Sequence, residues 1–164
     1  MVPVELYGGT QREMRMRVAM CSDEPYDIHG VVLEELRRRG HEPVLFGSVR
    51  SGAEEPWVLV AREAAEAVAS GDCAEGIFFC WTGTGISMAA NKVPGIRAAL
   101  CCDAETARGA RVWNHANVLA LSNRLMSSEL VLEVLEQWLD APVEDPQGAA
   151  GVEELGRLEE AYFG

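Results

Sequence analysis

Short apolar runs alternate with longer segments of helical periodicity along most of the chain. The apolar runs of β type are at residues 16–21, 42–46, 76–80, 97–101 and 117–121. The segments with helical periodicity are at residues 28–39, 56–70, 85–92, 104–113 and 128–139. Because strands that alternate with helices form parallel sheets with helices on both faces, this pattern predicts one doubly wound α/β domain.

The two ends of the chain depart from this pattern. Residues 1–15 lack the basic start and continuous apolar stretch of a secretory signal, so we interpret them as an extension before a domain at residues 16–140. Residues 141–164 form a C-terminal arm, in which a Pro/Gly-rich connector precedes a helix predicted at residues 152–162. An arm this short does not fold alone, so we expect its apolar stripe to pack on its own domain or on a neighbouring subunit. The stripe consists of Leu155, Leu158, Tyr162 and Phe163.

Composition and charge limit the classes of function. The chain has 164 residues, of which 48% are hydrophobic and 24% charged, as in soluble globular proteins. Its apolar runs are too short to span a membrane, so we expect no membrane partner. A net charge of −12 repels a phosphate backbone, so nucleic acid is not an expected partner either. Any anionic ligand has to bind in a local positive pocket.

Five cysteines indicate the redox environment of the chain. Their number is odd, and they lack the Cys/His spacing of a metal site. This favours reduced thiols in a cytoplasmic protein over disulfides or a zinc site, and we expect neither a metal nor a cofactor. The cysteines are Cys21, Cys73, Cys80, Cys101 and Cys102.

The segment after the third strand combines several reactive groups. It begins at residue 80 with CWTGTGIS, which places a thiol, two threonine hydroxyls and two glycines at the start of a helix. Gly83 and Gly85 allow the backbone to turn tightly and to present its N–H groups to an anion. A helix N-terminus favours negative charge, so a cysteine at this position is a candidate base or nucleophile. These features alone leave open an ordinary glycine turn and an inert buried cysteine.

Residues 80–100, CWTGTGISMAANKVPGIRAAL, resemble the active-site segment of the ribose-5-phosphate isomerase B and galactose-6-phosphate isomerase family. That segment reads Cys-Gly-Thr-Gly-x-Gly, followed by Ala-Ala-Asn-Lys and Gly-x-Arg-Ala. The resemblance extends over residues 16–139 and includes Ser22, Asp23 and the Asn-x-Ala-Asn stretch at residues 114–117. It implies a Rossmann-like fold with five parallel strands and a homodimer, or a dimer of dimers, with shared active sites. It also implies metal-independent isomerisation of a sugar phosphate through an enediol.

The resemblance further assigns roles within the loop. Cys80 is the expected base, which moves a proton between the two carbons next to the carbonyl oxygen, and the Thr82 hydroxyl assists it. The loop amides hold the charge of the enediolate. These amides belong to Gly83, Thr84, Gly85, Ile86 and Ser87. Some family members place a glutamate base at the position of Ile86, and because isoleucine cannot do this, Cys80 remains the candidate.

Departures from the family pattern cluster at the expected substrate site. Trp81 stands where the family has glycine, and Glu24 stands where a histidine usually follows the aspartate. Trp113 replaces the histidine that opens the sugar ring. Glu24 and Glu55 are placed to bind sugar hydroxyls, although a loop glutamate can equally be only solvated. The predicted substrate-binding residues besides the loop amides are Asp23, Glu24, Glu55, Trp81, Trp113, Asn114 and Arg124.

Basic residues and histidines are few at this site. Arg124 matches a phosphate-contacting arginine of the family, whereas the basic cluster of the family's C-terminal arm is missing. His115 is displaced by two residues from the ring-opening position, so it is either a weakened candidate or an ordinary turn histidine. We interpret His29 and His41 as structural, and Arg97 opens a strand.

The sequence therefore predicts an aldose–ketose isomerase, with ribose 5-phosphate as the family's usual substrate. The missing histidine and basic cluster favour an alternative, a shorter or unphosphorylated sugar such as a tetrose phosphate, which cannot close a furanose ring. A second alternative is a non-catalytic sugar-binding subunit. A nucleotide-binding domain is disfavoured because no Gly-x-Gly-x-x-Gly follows the first strand.

Overall fold

Five parallel strands form the sheet of the protein, which is seen here in a computed structural model that describes residues 14–164. The strands are β1 Arg17–Ser22, β2 Glu42–Gly47, β3 Glu75–Cys80, β4 Ala98–Leu100 and β5 Val118–Ser122. Their order in the sheet is β2-β1-β3-β5-β4, and every neighbouring pair is parallel. The predicted N-terminal extension lies outside the described residues except for its last two positions.

Helices cover both faces of the sheet. They are α1 Ile28–Arg38, α2 Ser48–Ser51, α3 Trp57–Ala69, α4 Thr84–Ala90, α5 Ala104–Asn114, α6 Ser128–Asp140 and α7 Pro146–Phe163. Residues of α1, α5 and α6 pack on one face, and residues of α3 and α4 pack on the other. The predicted doubly wound α/β fold is confirmed. Within residues 14–164, no helix is both long enough and apolar enough to cross a membrane.

The three central strands are the most deeply buried. Every residue of β3 and β5 is buried, and so is every residue of β1 after Arg17. Alternate side chains of β3 point to opposite cores, with Ile77 and Phe79 on one side and Phe78 and Cys80 on the other. These strands therefore form a rigid base for the loops that follow them.

The C-terminal helix begins earlier than the predicted start at residue 152. The Asp145 carboxylate accepts a hydrogen bond from the Gly148 N–H at 2.8 Å, and Pro146 occupies the first turn. An aspartate cap followed by proline is a helix-start signal. It was not recognised from the sequence, because the Pro/Gly-rich composition of this stretch is typical of a connector. Helix α7 packs against α5, and its Glu159 carboxylate accepts the Gly95 N–H at 3.0 Å. Its apolar stripe remains largely exposed in the single chain.

The outer strand β4 is shorter than predicted, and its open side is capped. Its Ala98 pairs with Val118 of β5, which leaves the opposite side of the strand without a partner strand. The Asn91 amide Nδ2 donates to the Ala98 carbonyl at 2.9 Å, and its Oδ1 accepts the Ala98 N–H at 2.8 Å. One side chain thus satisfies both backbone groups of Ala98.

A buried ion pair ties β3 to two helices at the amino edge of the sheet. Glu75, at the start of β3, is only 2% exposed. Its carboxylate lies 3.2 Å from the Arg111 guanidinium of α5 and accepts the Trp138 indole N–H of α6 at 2.9 Å. The same guanidinium lies over the Trp138 ring, 4.9 Å from its centroid. Burial raises the pKa of Glu75, while Arg111 and Trp138 oppose that rise.

Candidate active site

Three loops meet at the carboxyl edge of the sheet, where ligands of open α/β sheets bind. They follow β1, β3 and β5, which are neighbours in the sheet order. The Asn123 N–H donates to the Cys80 carbonyl at 2.9 Å, and the Arg124 N–H donates to the Trp81 carbonyl at 3.2 Å. The Ser122 hydroxyl also donates to the Trp81 carbonyl at 2.8 Å. The loop after β5 therefore fixes the loop that carries Cys80.

The loop after β3 brings the thiol next to the threonine hydroxyls. Cys80 ends β3 and is 5% exposed, and α4 begins at Thr84. Gly83 has φ of 77°, and a Cβ there would lie 2.6 Å from the Leu100 side chain, so only glycine fits this turn. The hydroxyls of Thr82 and Thr84 are 2.6 Å apart and reach solvent. This is a suitable place for a substrate oxygen.

The helix start determines which loop amides are available. The first turn of a helix leaves its N–H groups without intrahelical acceptors, and in α4 these belong to Thr84, Gly85 and Ile86. The Ser87 N–H instead donates to the Gly83 carbonyl at 3.3 Å, so it already has an acceptor. The Ile86 side chain is fully buried, so its amide rather than its side chain is the group that can reach a ligand.

The loop after β1 supplies carboxylates to the same edge. The Glu55 N–H donates to the Asp23 carbonyl at 2.9 Å, which brings both predicted residues together. The Asp23 Oδ1 atom is buried and has no hydrogen-bond partner among the described residues. Burial raises the pKa of Asp23, and the charges of Glu24 and Glu54 add to this effect. The Glu55 carboxylate accepts the Ser51 hydroxyl at 2.7 Å.

An aromatic wall, formed by Tyr26 and Trp81, borders the site. The two rings have centroids 6.2 Å apart, and the Tyr26 hydroxyl donates to the Glu24 carboxylate at 3.1 Å. The Arg124 guanidinium lies over the Trp81 ring at 6.0 Å, so the wall has a cation beside it. Trp81 is 51% exposed, which leaves its face open to a ligand. Sequence reasoning missed Tyr26, because a lone tyrosine in a loop carries no motif.

Two predicted substrate residues lie elsewhere in the single chain. Trp113 and Asn114 end α5, which leads into the amino end of β5, whereas Cys80 is at the carboxyl end of β3. The structure therefore does not bring them to the Cys80 loop within one chain. His115 follows them with φ of 45°, and its Nε2 atom is buried without a hydrogen-bond partner in the described part of the chain. A Cβ at Gly148 of α7 would lie 2.5 Å from that Nε2 atom, so the helix covers His115.

Cys21, Cys101 and Arg97 do not offer reactive groups at the site. Burial raises the pKa of Cys21 well above its usual value, and the nearby Asp23 and Cys80 also contribute. Burial is likewise the main cause that raises the pKa of Cys101 to about 12. Arg97 donates from Nε to the His115 carbonyl at 2.9 Å, so it holds a loop at the amino edge. Across residues 14–164, no group of three or more His, Cys, Asp and Glu side chains could hold a metal.

His29 and Asn123 form a buried pair behind the site. His29 of α1 is 5% exposed, and its Nε2 atom lies 2.8 Å from the Asn123 Oδ1 atom. The Asn123 amide donates to the Ser22 hydroxyl at 3.2 Å. Sequence reasoning identified His29 as structural but did not find its partner, since the two residues are 94 positions apart.

We expect His29 to make the free energy of unfolding depend on pH. Burial lowers the pKa of His29 from its ordinary value of 6.5, and the bond to Asn123 only partly opposes this. Below pH 6.5 the unfolded chain therefore binds a proton that the folded chain does not, and stability falls as the pH decreases. Urea unfolding between about pH 5 and 8 measures this slope.

The matched comparison is the variant His29→Gln, which removes the titrating group. Its stability should depend less on pH than that of the wild type in the same window, because other titrating groups contribute equally to both. If the free energy of unfolding depends on pH with the same slope in both proteins, the pH dependence does not come from His29.

Similar proteins identify the family of this site. Residues 18–155 match the Ribose/Galactose Isomerase family model. A protein of Pectobacterium atrosepticum named D-erythrulose-4-phosphate isomerase is 36% identical over 133 residues, 81% of this chain and 88% of that protein. The ribose-5-phosphate isomerase B of Escherichia coli is 34% identical over 140 residues, 85% of this chain and 93% of that protein.

A solved structure agrees with these relatives. The ribose-5-phosphate isomerase B of Clostridium thermocellum superposes with a TM-score of 0.83 at 38% identity, and the match covers 90% of this chain and 99% of that one. The similarity therefore includes the sheet and all three loops at its carboxyl edge. The family model, the two relatives and the solved structure agree, and the chain therefore belongs to the ribose/galactose isomerase family.

Proposed function

We propose that this protein interconverts the aldose and ketose forms of a small sugar phosphate through an enediol, with Cys80 as the base. The observation that carries the proposal is the position of the Cys80 thiol, at the end of β3 and directly before the Thr82 and Thr84 hydroxyls. Membership of an isomerase family supports the reaction class. The relatives named above act, by their names, on four- and five-carbon sugar phosphates.

The proposed reaction moves one proton between adjacent carbons. The Cys80 thiolate removes a proton from the carbon beside the carbonyl, and the C–H electron pair forms the C=C bond of the enediolate. The carbonyl electrons move to oxygen, where the Thr82 hydroxyl and the first amides of α4 stabilise the charge. A proton moves between the two oxygens, and Cys80 then returns its proton to the former carbonyl carbon. The atoms of substrate and product balance without a redox cofactor.

We further propose that Arg124 binds the phosphate. It is exposed at the mouth of the site beside Trp81, and it belongs to the loop whose backbone bonds the Trp81 carbonyl. A guanidinium offers a planar pair of donors to phosphate oxygens, which suits this role. Asp23, Glu24 and Glu55, in the segments after β1 and before α3, are the groups that we propose receive sugar hydroxyls.

We expect a compact substrate to be preferred over ribose 5-phosphate. The Trp81 indole fills space at the mouth and contacts Tyr26, and Trp113 stands at the position where the family has its ring-opening histidine. The comparison is kcat/KM for ribose 5-phosphate against tetrose 4-phosphates and the free sugars. A tenfold preference for ribose 5-phosphate, about 1.4 kcal/mol, would refute this expectation.

The variant Trp81→Gly tests the cause of that preference. Glycine removes the indole and is the residue that the resemblance places here, so ribose 5-phosphate should improve relative to the tetrose phosphate. Trp57→Ala is the matched control, since Trp57 is a similarly exposed indole that packs on Gly85 rather than on Tyr26. If the ratio of kcat/KM for ribose 5-phosphate to kcat/KM for the tetrose phosphate is the same in both variants, Trp81 does not set the preference.

A second copy of the chain completes the site in this proposal. Trp113 and Asn114 are at the amino edge of their own sheet, so only another subunit could bring them to Cys80. Helix α7 and strand β4 border a groove of about 520 Å³ and present an exposed apolar surface for a partner. We therefore expect a dimer in solution.

Sedimentation velocity tests this expectation. The variant Leu158→Asp places a charge on the apolar surface and should shift the protein towards monomer. The control is Glu153→Lys, which changes charge and removes an exposed partner of Arg157 on the same helix but leaves the apolar surface intact. A wild-type chain that sediments as a monomer at all concentrations would contradict the dimer.

The alternative of a non-catalytic sugar-binding subunit makes a different prediction for the purified chain. It would bind a sugar phosphate without turnover, whereas the proposed enzyme converts it alone. The five unpaired thiols support a cytoplasmic location for either function.

A further inference from the structure

A buried polar network connects the three loops of the site. Its central residue, Asn123, is 6% exposed and follows β5 directly. The Asn123 backbone N–H donates to the Cys80 carbonyl, and its side chain donates to the Ser22 hydroxyl. The Ser22 hydroxyl in turn donates to the Glu24 carbonyl at 2.7 Å. A single residue therefore contacts the loop of the proposed base and the loop of the sugar-binding carboxylates.

His29 determines which way the Asn123 amide points. The Tyr26 N–H lies 3.4 Å from the His29 Nδ1 atom, which accepts from it. The Nε2 atom of the neutral ring then carries the proton and donates to the Asn123 Oδ1 atom at 2.8 Å. With its oxygen fixed on His29, the amide has its nitrogen directed at Ser22.

The ring of His29 is itself held in place. It lies against Phe79 of β3, with ring centroids 4.9 Å apart, and beside Tyr26, with centroids 6.1 Å apart. Because Tyr26 also contacts Trp81, the histidine supports the aromatic wall as well as the amide. Both ring nitrogens of His29 and both polar atoms of the Asn123 amide have hydrogen-bond partners in the segments that they join.

We propose that the His29–Asn123 pair is a positioning device that sets the geometry of the loops after β1, β3 and β5 for proton transfer at Cys80. This rests on the proposed function. Displacement of a reacting group by about 1 Å costs about 100-fold in rate, so the hydrogen bonds behind the loops control turnover without touching the substrate. Neither residue belongs to the substrate site itself.

His41 provides a matched control. It is 8% exposed, and its Nδ1 atom accepts the Met16 N–H at 3.4 Å, as His29 accepts from Tyr26. It lies between α1 and β2, at the amino edge of the sheet. A purely structural role for His29 predicts that the two histidines have equal effects on activity at equal loss of stability.

The first measurement is steady-state kinetics of His29→Ala, His29→Gln and His41→Ala with the sugar phosphate that the wild type converts best. We expect His29→Ala to lower kcat by about 10- to 100-fold with KM changed less than about threefold. His29→Gln should recover most of kcat, since its amide can still donate to Asn123. His41→Ala should leave kcat unchanged. A kcat of His29→Ala within about twofold of the wild type overturns the proposal.

The second measurement does not depend on isomerase activity. Iodoacetamide alkylation, mapped by mass spectrometry, gives the rates at Cys80 and at the exposed Cys102 of each variant. His29→Ala should change the Cys80 rate by about tenfold and leave the Cys102 rate unchanged. If His29→Ala changes the Cys80 alkylation rate in this way although the wild-type protein converts no sugar phosphate, the positioning role is supported and the proposed function is refuted.

Ser22→Ala keeps the test decisive if His29→Ala does not fold. It removes one oxygen from the link between Asn123 and Glu24, so we expect the same signature, a lower kcat with KM little changed. If the wild type is active, and Ser22→Ala has the same kcat and the same rate of Cys80 alkylation as the wild type, the proposal is overturned.

Discussion

Replacement of Cys80 with alanine is expected to lower turnover by about two to four orders of magnitude and to leave the fold intact. The thiol is the group at the end of β3 that can accept a carbon-bound proton, and the hydroxyls of Thr82 and Thr84 cannot replace it as a base. Loss of the sulfur leaves only a small space beside the core, so the free energy of unfolding should change little. Turnover and urea unfolding of the same preparation measure both effects.

Cys21→Ala is the control for this substitution. Cys21 lies on the neighbouring strand and packs in the same core cluster as Cys80, but burial raises its pKa and keeps it protonated. Its removal should leave turnover nearly unchanged. Near-normal turnover in a folded Cys80→Ala protein would remove Cys80 from the mechanism.

Replacement of Glu75 with alanine is expected to reduce the free energy of unfolding by about 3–5 kcal/mol. Glu75 is buried between Arg111 and Trp138, so its loss leaves the guanidinium without its carboxylate and the indole N–H without an acceptor. A buried charge without a partner costs far more than an exposed one. Urea unfolding at pH 7 measures the loss.

Two further variants identify the source of this stability. Glu75→Gln keeps the shape and an acceptor for Trp138, so it should cost less than Glu75→Ala. Glu153→Ala removes an exposed partner of Arg157 and should cost about 1 kcal/mol or less. If Glu75→Ala costs no more than Glu153→Ala, the buried pair does not stabilise the fold.

The arrangement of strands and helices could be predicted because apolar periodicity is a local property of the sequence. The runs that became β3 and β5 are buried on both faces, and such strands show as continuous apolar segments. The outer strand β4 was overestimated because the backbone N–H of Arg97, at its predicted start, donates to the Asn117 side-chain oxygen at 2.8 Å rather than to a carbonyl of β5. Length errors of this kind depend on contacts that periodicity does not contain.

The candidate site was predictable only where a motif or a resemblance marked it. The Cys80 loop and Arg124 were found in this way, and the structure places them together. Tyr26 and Asn123 were not found, because each is placed beside the site by contacts with a distant segment. His29 illustrates the limit, since its burial could be expected but its orientation of Asn123 could not.

The cap on β4 has a consequence for behaviour at high concentration. A bare outer strand offers its backbone N–H and C=O groups to another chain, and this is a common route to aggregation. Asn91 occupies both groups of Ala98, so a second strand would have to displace two hydrogen bonds before it could pair there. The asparagine therefore hinders open-ended addition of chains to the fifth strand at the position of Ala98.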